Sequence, residues 1–408
     1  MVKVDTIEAP TSVSLTQGQA GLWRQDQLHL PRNRTGLDAY GLRPYGTTAM
    51  AAAAAEDIRL LVRLAHGDCA GAERCLRSRS TSLDELAETA TAHGLSVVLL
   101  RALEDSPLRA ALSSPCIEAL EDRRRHQEIR SQILLEALAS LAERFASAGQ
   151  PFVLLKGPYL AARFYGDVRG REFVDLDLLV PRADRGRALR LLAVAGYRRR
   201  SRSLFGSGLT SLFVHGFDFA AGNAYVDLHW CLSRHPSMHL EEPKVWGRRS
   251  SYPVDGRSYP VLSDKHEVLF AALSLLRDLE RGRPKIKNVV DLIQIIAATD
   301  AEIDWEVLLE SSRSDGTFGP LVNVLGLCLD VADAHDLAPR LSAALARHAD
   351  RRVWARCTDS PLQFRPARFG LGNKLWSARV HDTTPAAWLL WWATSLPFRV
   401  AVHRWRRP

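Results

Sequence analysis

The sequence predicts an α+β protein in which a small mixed-sheet core is flanked by helical N- and C-terminal regions. Apolar residues recur at helical spacing over much of residues 51–149, and again from 262 to 348. Between these regions, short apolar runs alternate with helix-like segments, a pattern typical of a compact α/β unit. The 408 residues, 25% charged and 46% hydrophobic, suffice for two or three domains.

The N-terminal third is expected to be helical after a poorly ordered start. Residues 1–50 are rich in Gly, Thr, Gln and Arg and lack periodicity, so we expect an extension without a core. Ser82 and Glu85 form a capping box for a helix that Gly94 would end. A long amphipathic helix is predicted over about 117–148.

The middle third changes to strands and short helices. Strands are predicted at 153–155, 174–180, 210–219 and 224–231, and helices at 158–165 and 184–195. The predicted organisation is an extension (1–50), an N-terminal helical region (51–149), an α/β core (150–260), a C-terminal helical region (261–350) and an irregular, amphipathic C-terminal segment (351–408).

Composition narrows the class of function. The net charge of +8 comes from 54 basic and 46 acidic residues spread along the chain, which favours anions but makes long nucleic acid an unexpected partner. Six cysteines without a CxxC pair and an N-terminus without a secretory signal predict a cytoplasmic protein. The apolar stretch at 386–398 is too short to span a bilayer. We expect it to dock on the core, with weak membrane-surface contact as the alternative.

Two carboxylates interrupt a predicted buried strand, VDLDLLV at 174–180. The pleat sends Asp175 and Asp177 to one face and their apolar neighbours to the other. Two residues along a strand span about 6.5–7 Å, so both carboxylates can converge on one cation or a close pair of cations. Without a cation they would repel each other. We therefore predict that they bind Mg²⁺; the alternative is a solvent-facing pair on an edge strand.

A third carboxylate lies in YVDLHW, where Asp227 and His229 share one face of the next predicted strand. If that strand neighbours the first, Asp227 lies beside Asp175 and Asp177. Three such carboxylates can hold two Mg²⁺ ions that bridge nucleotide phosphates. Asp227 would then be the general base or a direct metal ligand, the alternative being an ordinary strand aspartate.

The stretch from His229 to His239 also contains Cys231 and His235, which suggests zinc at first sight. A zinc site is not predicted, because Pro236 breaks any regular helical face and no second cluster completes four ligands. His229 is interpreted as a structural residue beside Asp227.

A strand that ends in Lys156-Gly157-Pro158 suits a tight turn into a helix. Gly157 would let the backbone approach a phosphate, and Pro158 is favoured at the first helical position. Lys156 could reach the same phosphates as a compact charge.

Together these residues resemble the nucleotidyltransferases of the DNA polymerase β-like superfamily, whose signature is a strand, a small-residue turn, a short helix and an acidic Asp-x-Asp strand. More narrowly, LLKGPYLAARFY, DLDLLV, LRLLAVAGYR, VDLHW and KNVVDL look like a bacterial nucleotidyltransferase family. The resemblance covers roughly residues 150–310. It implies a nucleotidyltransferase core between the helical regions.

The resemblance also implies roles for single residues. Gly157 is the motif glycine, Asp175 and Asp177 are metal ligands, and Asp227 is the third carboxylate. Arg171 matches an arginine that would contact the triphosphate.

Further along, RPKIKNVVDL corresponds to a family region beside the active cleft. Lys285 or Lys287 would neutralise the triphosphate or bind an acidic second substrate, unless both are simply solvated. Asp291 is either part of that region or a structural partner for a nearby arginine.

The predicted function is Mg²⁺-dependent transfer of a nucleoside monophosphate from a nucleoside triphosphate, expected to be ATP, with release of pyrophosphate. The acceptor stays open among a small molecule, a peptide, a protein side chain and an RNA end. Two features depart from the superfamily pattern: Pro158 lacks a backbone N–H, and sixteen residues separate it from Asp175. They motivate the alternative of a catalytically weak or inactive nucleotide-binding or scaffold protein.

Overall fold

The computed structural model describes residues 48–77, 82–104, 106–200, 216–233, 235, 238, 240, 242–280, 284–348 and 380–381. The predicted extension and C-terminal segment lie outside these residues except at 48–50 and 380–381. Most of the predicted strand at 210–219 also lies outside them.

The N-terminal region is built from helices whose ends the sequence specifies locally. They are α1 (Thr48–His66), α2 (Cys69–Arg77), α3 (Leu83–His93), α4 (Ser96–Leu103) and α5 (Ser114–Ser147). The predicted capping box starts α3: Ser82 Oγ accepts a hydrogen bond from the Glu85 N–H, and the Glu85 carboxylate accepts one from the Ser82 N–H. Gly94 ends the helix in a left-handed conformation, φ 72°.

The core contains a mixed sheet. Its strands are β1 (Val153–Leu154), β2 (Leu176–Leu179), β3 (Arg198–Arg199), β4 (Gly216–Ala221), β5 (Ala224–His229), β6 (Ser250–Val254) and β7 (Arg257–Val261). Over the described residues they form one seven-stranded sheet in the order β3–β4–β5–β2–β1–β7–β6. The β2–β5 and β1–β7 pairs are parallel and the other neighbours antiparallel. Helices α6 (Pro158–Phe164), α7 (Arg185–Val194) and α8 (Glu242–Gly247) connect the strands.

Two strand predictions need correction. Strand β2 begins at Leu176 rather than at residue 174, so Val174 is 55% exposed and Asp175 precedes the strand. The β6–β7 hairpin was not predicted, since Pro253 and Pro260 argue against strands. Pro253 is tolerated because β6 is the sheet edge. Pro260 lies on β7, whose pairing with β1 involves Val261 and not Pro260.

The C-terminal region consists of α9 (Asp264–Glu280), α10 (Ile286–Thr299), α11 (Trp305–Ser314), α12 (Phe318–Ala332) and α13 (Pro339–Ala346). Helix α1 packs against α10 and α12, and the Arg63 guanidinium donates to both carboxylate oxygens of Asp336 at 2.6 and 2.7 Å. The N- and C-terminal helices therefore share a core, and the predicted fold class is confirmed. No described helix is both long and apolar enough to cross a membrane.

Candidate active site

The carboxylates come together where the parallel strands β2 and β5 lie side by side. Asp177 and Asp227 are direct partners in the β2–β5 register. The alternation of the pleat buries Leu176 and Leu178 on the opposite face, so both acids project from the same side of the sheet. The hydrophobic pattern that buries one face thus fixes the pairing of the two carboxylates.

His229 completes the cluster. It follows Asp227 by two residues on β5 and is only 3% exposed. Its Nε2 lies 2.9 Å from Asp177 Oδ1 and 3.3 Å from Asp227 Oδ2. Within the described part of the chain, Asp177, Asp227 and His229 form a group of possible metal ligands. Their ligand atoms all lie within 4.8 Å of one another.

The separations in this cluster fit a divalent cation. Ligands at about 2.1 Å from a metal and at right angles to one another are about 3 Å apart. The two distances from His229 Nε2 are close to that value, and two of the three donors are the carboxylate oxygens that hard cations prefer. Asp177, Asp227 and His229 could therefore hold a metal.

Gly216 lets the neighbouring strand β4 pack closely against these side chains. It faces His229 in the β4–β5 register. A Cβ at this position would lie 2.6 Å from the Leu228 carbonyl oxygen, 3.0 Å from Asp227 Oδ1 and 3.2 Å from His229 Nδ1. Any larger residue would push into the cluster, so glycine leaves room around Asp227 and His229.

Asp175 lies beside this cluster but is not one of its three members. Burial raises the pKa of Asp175 to about 7, and the nearby Asp177 and Asp227 charges add to the shift. The structure therefore puts the three predicted carboxylates close enough to interact, while it brings only Asp177 and Asp227 together with His229. A merely solvent-facing pair is not what the structure shows, because Asp175 and Asp177 are both half-buried.

Ionisation differs sharply among the clustered groups. Burial opposes the charged form of Asp177, yet the hydrogen bond and charge of His229, with Lys156 behind them, lower its pKa to about 2. Burial raises the pKa of Asp227. For His229, burial acts downwards, but Asp227 and Asp177 outweigh it and the pKa is raised.

The Lys156-Gly157 turn lies directly next to the acids. The Leu155 N–H donates to the Asp177 carbonyl oxygen at 2.9 Å. Gly157 has φ 60° and ψ −126°, and a Cβ there would lie 3.3 Å from the Asp175 carbonyl oxygen. Pro158 occupies the first turn of α6, as predicted. The turn therefore needs glycine both for its dihedral angles and for its approach to Asp175.

Lys156 is held among apolar groups within reach of the Asp177 charge. Its Nζ lies 4.9 Å from the centre of the Phe270 ring, which also meets the His229 ring edge-on at 6.3 Å. Phe270 belongs to a buried apolar cluster with Leu155 and Leu179. Burial lowers the pKa of Lys156, and the charge of Asp177 acts in the opposite direction. The site thus places the ammonium group of Lys156 and the carboxylates in the same poorly solvated surroundings.

Arg171 forms its ion pair within the protein, with Asp291. It is buried and forms a two-point ion pair with Asp291, Nε–Oδ1 2.6 Å and Nη2–Oδ2 2.5 Å. Its Nη1 donates to the Glu172 carbonyl oxygen, and the Tyr165 hydroxyl donates to Asp291. All three guanidinium nitrogens are engaged within the protein. The expectation that Asp291 is a structural partner for an arginine is confirmed.

The two predicted lysines of α10 differ. Lys285 caps the helix and is exposed. Lys287 is half-buried and donates to the Glu172 carbonyl oxygen. Burial lowers the pKa of Lys287 to about 7, and its charge lowers the pKa of Asp175. Lys287 therefore lies at the acidic site, whereas Lys285 faces solvent.

Two acidic residues at this site were missed from the sequence. Asp218 pairs with Asp227 in the β4–β5 register, which continues the row of carboxylates across a third strand. The alternating pattern of GFDFAAGNAYVDLHW is typical of a β-hairpin, and a hairpin there would have predicted that Asp218 lies opposite Asp227. Glu267 of α9 is fully buried, and no pattern in the sequence separates it from an ordinary helix-start acid.

A protein-family model described as an uncharacterised nucleotidyltransferase matches residues 79–333, which include every predicted site residue. The comparison with curated proteins gave no match. The solution structure of the antibiotic-resistance factor ANT(2'')-Ia is 17% identical, with a TM-score of 0.33, over 45% of this chain and 93% of that chain. The crystal structure of ANT(2'')-Ia in complex with adenylyl-2''-tobramycin is also 17% identical, with a TM-score of 0.32, over 44% and 96%.

Proposed function

The chain belongs to the uncharacterised nucleotidyltransferase family, and we propose that it transfers a nucleoside monophosphate from a nucleoside triphosphate to an acceptor, with release of pyrophosphate. The observation that supports this most is the direct pairing of Asp177 and Asp227 on parallel strands beside the Lys156-Gly157 turn. Neighbouring carboxylates can bind a divalent metal ion that holds a polyphosphate, and a buried lysine beside them can bind the phosphates directly.

Asp177 and Asp227 would hold the cation, with Asp175 beside them, and Mg²⁺ is the ion expected from the sequence. When bound, the cation would neutralise phosphate charge and help orient the reacting groups. Asp177 is suited to this role because it is the direct register partner of Asp227 on the adjacent parallel strand. Asp227, with a raised pKa, is placed to accept the proton of the attacking group.

Lys156 and Lys287 would bind the phosphates. Both are cations close enough to Asp175 to lower its pKa, and Lys156 does the same for Asp177. They take over the role that the resemblance assigns to Arg171, whose guanidinium is committed to Asp291. Lys285 is exposed and would at most meet the outer part of a second substrate.

The donor is proposed to be ATP and the acceptor a small molecule, a peptide or a protein. The site lies between the sheet and α9 and α10, where Phe270 and Lys287 flank the carboxylates. The acceptor would approach from the side of the sheet that carries Asp227 and Asp218.

The reaction class is tested by its products. Purified protein is incubated with each nucleoside triphosphate, a divalent cation and panels of hydroxyl- and amine-bearing acceptors, and pyrophosphate is measured against free phosphate. We expect acceptor-dependent pyrophosphate, reduced at least a hundredfold in Asp177→Asn, since loss of one charge-stabilising group typically costs that much. Asp122→Asn, on the exposed face of α5, is the matched control.

Formation of a nucleoside diphosphate would instead show phosphoryl transfer and contradict the proposal. Nucleotide binding without pyrophosphate across all panels would favour the nucleotide-binding or scaffold alternative.

A further inference from the structure

We infer that His229 is a direct ligand of the bound cation, so that the site has two carboxylates and an imidazole rather than three carboxylates. This inference rests on the proposed function, because it concerns the same cation. It changes the predicted ligand set: Asp177, Asp227 and His229 bind the ion, and Asp175 lies next to it.

The distances around His229 Nε2 support direct binding to the cation. His229 Nε2 is within 3.3 Å of carboxylate oxygens from two different residues, Asp177 and Asp227. A single N–H can point well at only one acceptor. A cation among the three atoms would contact all of them, and the separations are those of neighbouring ligands around one metal.

The imidazole is held in place by its surroundings. His229 is 3% exposed, on the same strand as Asp227, and its ring packs edge-on against Phe270 of α9. Phe270 is itself buried, so the ring has little freedom to swing away from the carboxylates. A ligand that is oriented before the metal arrives loses little entropy on binding.

The close packing of β4 against β5 also keeps the ligand atoms in place. Gly216 faces His229 across β4 and β5, and a Cβ there would lie 2.6 Å from the Leu228 carbonyl oxygen and 3.0 Å from Asp227 Oδ1. Glycine therefore lets β4 approach β5 without displacing the side chains of Asp227 and His229.

The donor set has a consequence for metal choice. Carboxylate-only sites suit Mg²⁺, whereas an imidazole nitrogen favours divalent ions of the first transition row, including Mn²⁺, over Mg²⁺. We therefore expect the site to bind Mn²⁺ more tightly than Mg²⁺. Replacing His229 by glutamine, which offers an oxygen in place of nitrogen, should lower the affinity for Mn²⁺ about tenfold or more. The affinity for Mg²⁺ should fall less.

The test is electron spin-echo spectroscopy of Mn²⁺ bound to the full chain, without nucleotide. We expect modulation from a directly bound ¹⁴N nucleus, replaced by the ¹⁵N pattern when the wild-type protein is made with ¹⁵N-histidine. The wild-type labelling requires no substitution, so it stands even if a variant fails to fold. His229→Gln should lose the nitrogen signal, and His126→Gln, an exposed histidine of α5, should retain it.

The outcomes separate the two proposals. Mn²⁺ that binds stoichiometrically, depends on Asp177 and shows no histidine nitrogen would overturn the His229 inference while leaving the carboxylate site intact. A nitrogen signal that survives in His229→Gln would overturn it as well, since another histidine would be the ligand. No Mn²⁺ binding to the wild type, with or without nucleotide, would count against the proposed function itself.

Discussion

At the scale of single residues, neighbouring acids ionise under different conditions. Asp177 has a pKa of about 2 because His229 and Lys156 stabilise its charge, whereas burial and two acidic neighbours raise that of Asp175 to about 7. One carboxylate is thus charged at any physiological pH, and the other gains its charge most easily when a cation arrives. Opposite pKa shifts in neighbouring groups are typical of functional sites.

Glu267 offers a stability test outside the carboxylate cluster. It is 0% exposed, no described residue hydrogen-bonds its carboxylate oxygens, and burial raises its pKa from 4.5 to about 7. Between these values the folded protein keeps a proton that the unfolded chain has lost. The free energy of unfolding should therefore fall as pH rises, by up to about 1.4 kcal/mol per pH unit for this residue.

Glu267→Gln should remove this fall in the free energy of unfolding with rising pH. In urea unfolding, the variant should match wild type near pH 4.5 and exceed it at pH 8 by roughly 1–3 kcal/mol. Glu118→Gln, on the exposed side of α5, should leave the pH profile unchanged. A wild-type protein as stable as Glu267→Gln at pH 8 would show that Glu267 is stabilised in its charged form.

Gly157 is the residue on which the turn beside Asp175 depends. Its φ of 60° is unfavourable for an L side chain, and the Cβ of alanine would press on the Asp175 carbonyl oxygen at 3.3 Å. Gly157→Ala should cost about 1–3 kcal/mol in thermal or urea unfolding. Gly186→Ala is the matched control, since Gly186 lies in the first turn of α7, where an added Cβ would make only an ordinary contact with Arg190 Nη1 at 3.8 Å, and it should stabilise by up to about 1 kcal/mol. Equal effects at both positions would refute a special turn at Gly157.

Much of the site could be predicted from single residues because strand alternation is a local property. Asp177 and Asp227 stand between apolar residues that must face a core, so their shared face follows from the pleat. The partner of Arg171 could not be predicted, since it depends on where α10 packs, 120 residues along the chain. The sequence predicts His229 near Asp227, but its distance to Asp177 depends on the pairing of β2 with β5, which local pattern does not give.

At the scale of elements, the Arg171–Asp291 ion pair joins the loop before β2 to helix α10. Arg171 also binds the Glu172 carbonyl oxygen, which Lys287 of the same helix contacts as well. The loop that carries Asp175 is therefore joined to helix α10 through the buried Arg171 and the half-buried Lys287.

Breaking one side of this ion pair should be costly. Arg171→Met or Asp291→Leu alone should lose about 3–5 kcal/mol, since each leaves a buried charge without its partner. The double variant should lose much less than the sum, as measured by a double-mutant cycle in urea. Additive losses would mean that the two residues act independently. They would leave Arg171 available for the triphosphate contact that the resemblance implies.

Element boundaries were the weaker part of the prediction. The pattern VDLDLLV suggested a strand from residue 174, but pairing with β1 and β5 begins only at Leu176, and Val174 is exposed. The β6–β7 hairpin was missed because two prolines obscure it, although Asp255 and Gly256 supply a turn with positive φ at both residues. Pairing partners, rather than local propensity, decide where these strands start and end.

At the scale of the whole molecule, the N-terminal helices belong to the same core as the C-terminal ones. The family match begins at residue 79, after α1 and α2. Yet Leu61 and Val62 of α1 are fully buried, and Arg63 holds Asp336 beyond the end of α12. The two predicted helical regions are thus packed together.

A chain that begins at residue 79 should therefore fail to unfold cooperatively, because the faces of α4, α10 and α12 that α1 covers would be exposed. Leu61→Ala in the full chain should cost about 2–5 kcal/mol and keep a single transition. Calorimetry checks both. A truncated chain with the wild-type melting temperature would show that α1 is dispensable.

The most direct test of the account is titration calorimetry of ATP, GTP, CTP and UTP in the presence of Mg²⁺ or Mn²⁺. The paired carboxylates predict that one nucleotide binds only when the cation is present, and that Asp175→Ala/Asp177→Ala abolishes this binding while retaining the wild-type unfolding transition. Cation-independent binding, or binding unaffected by the double substitution, would contradict a metal–nucleotide site built on β2 and β5.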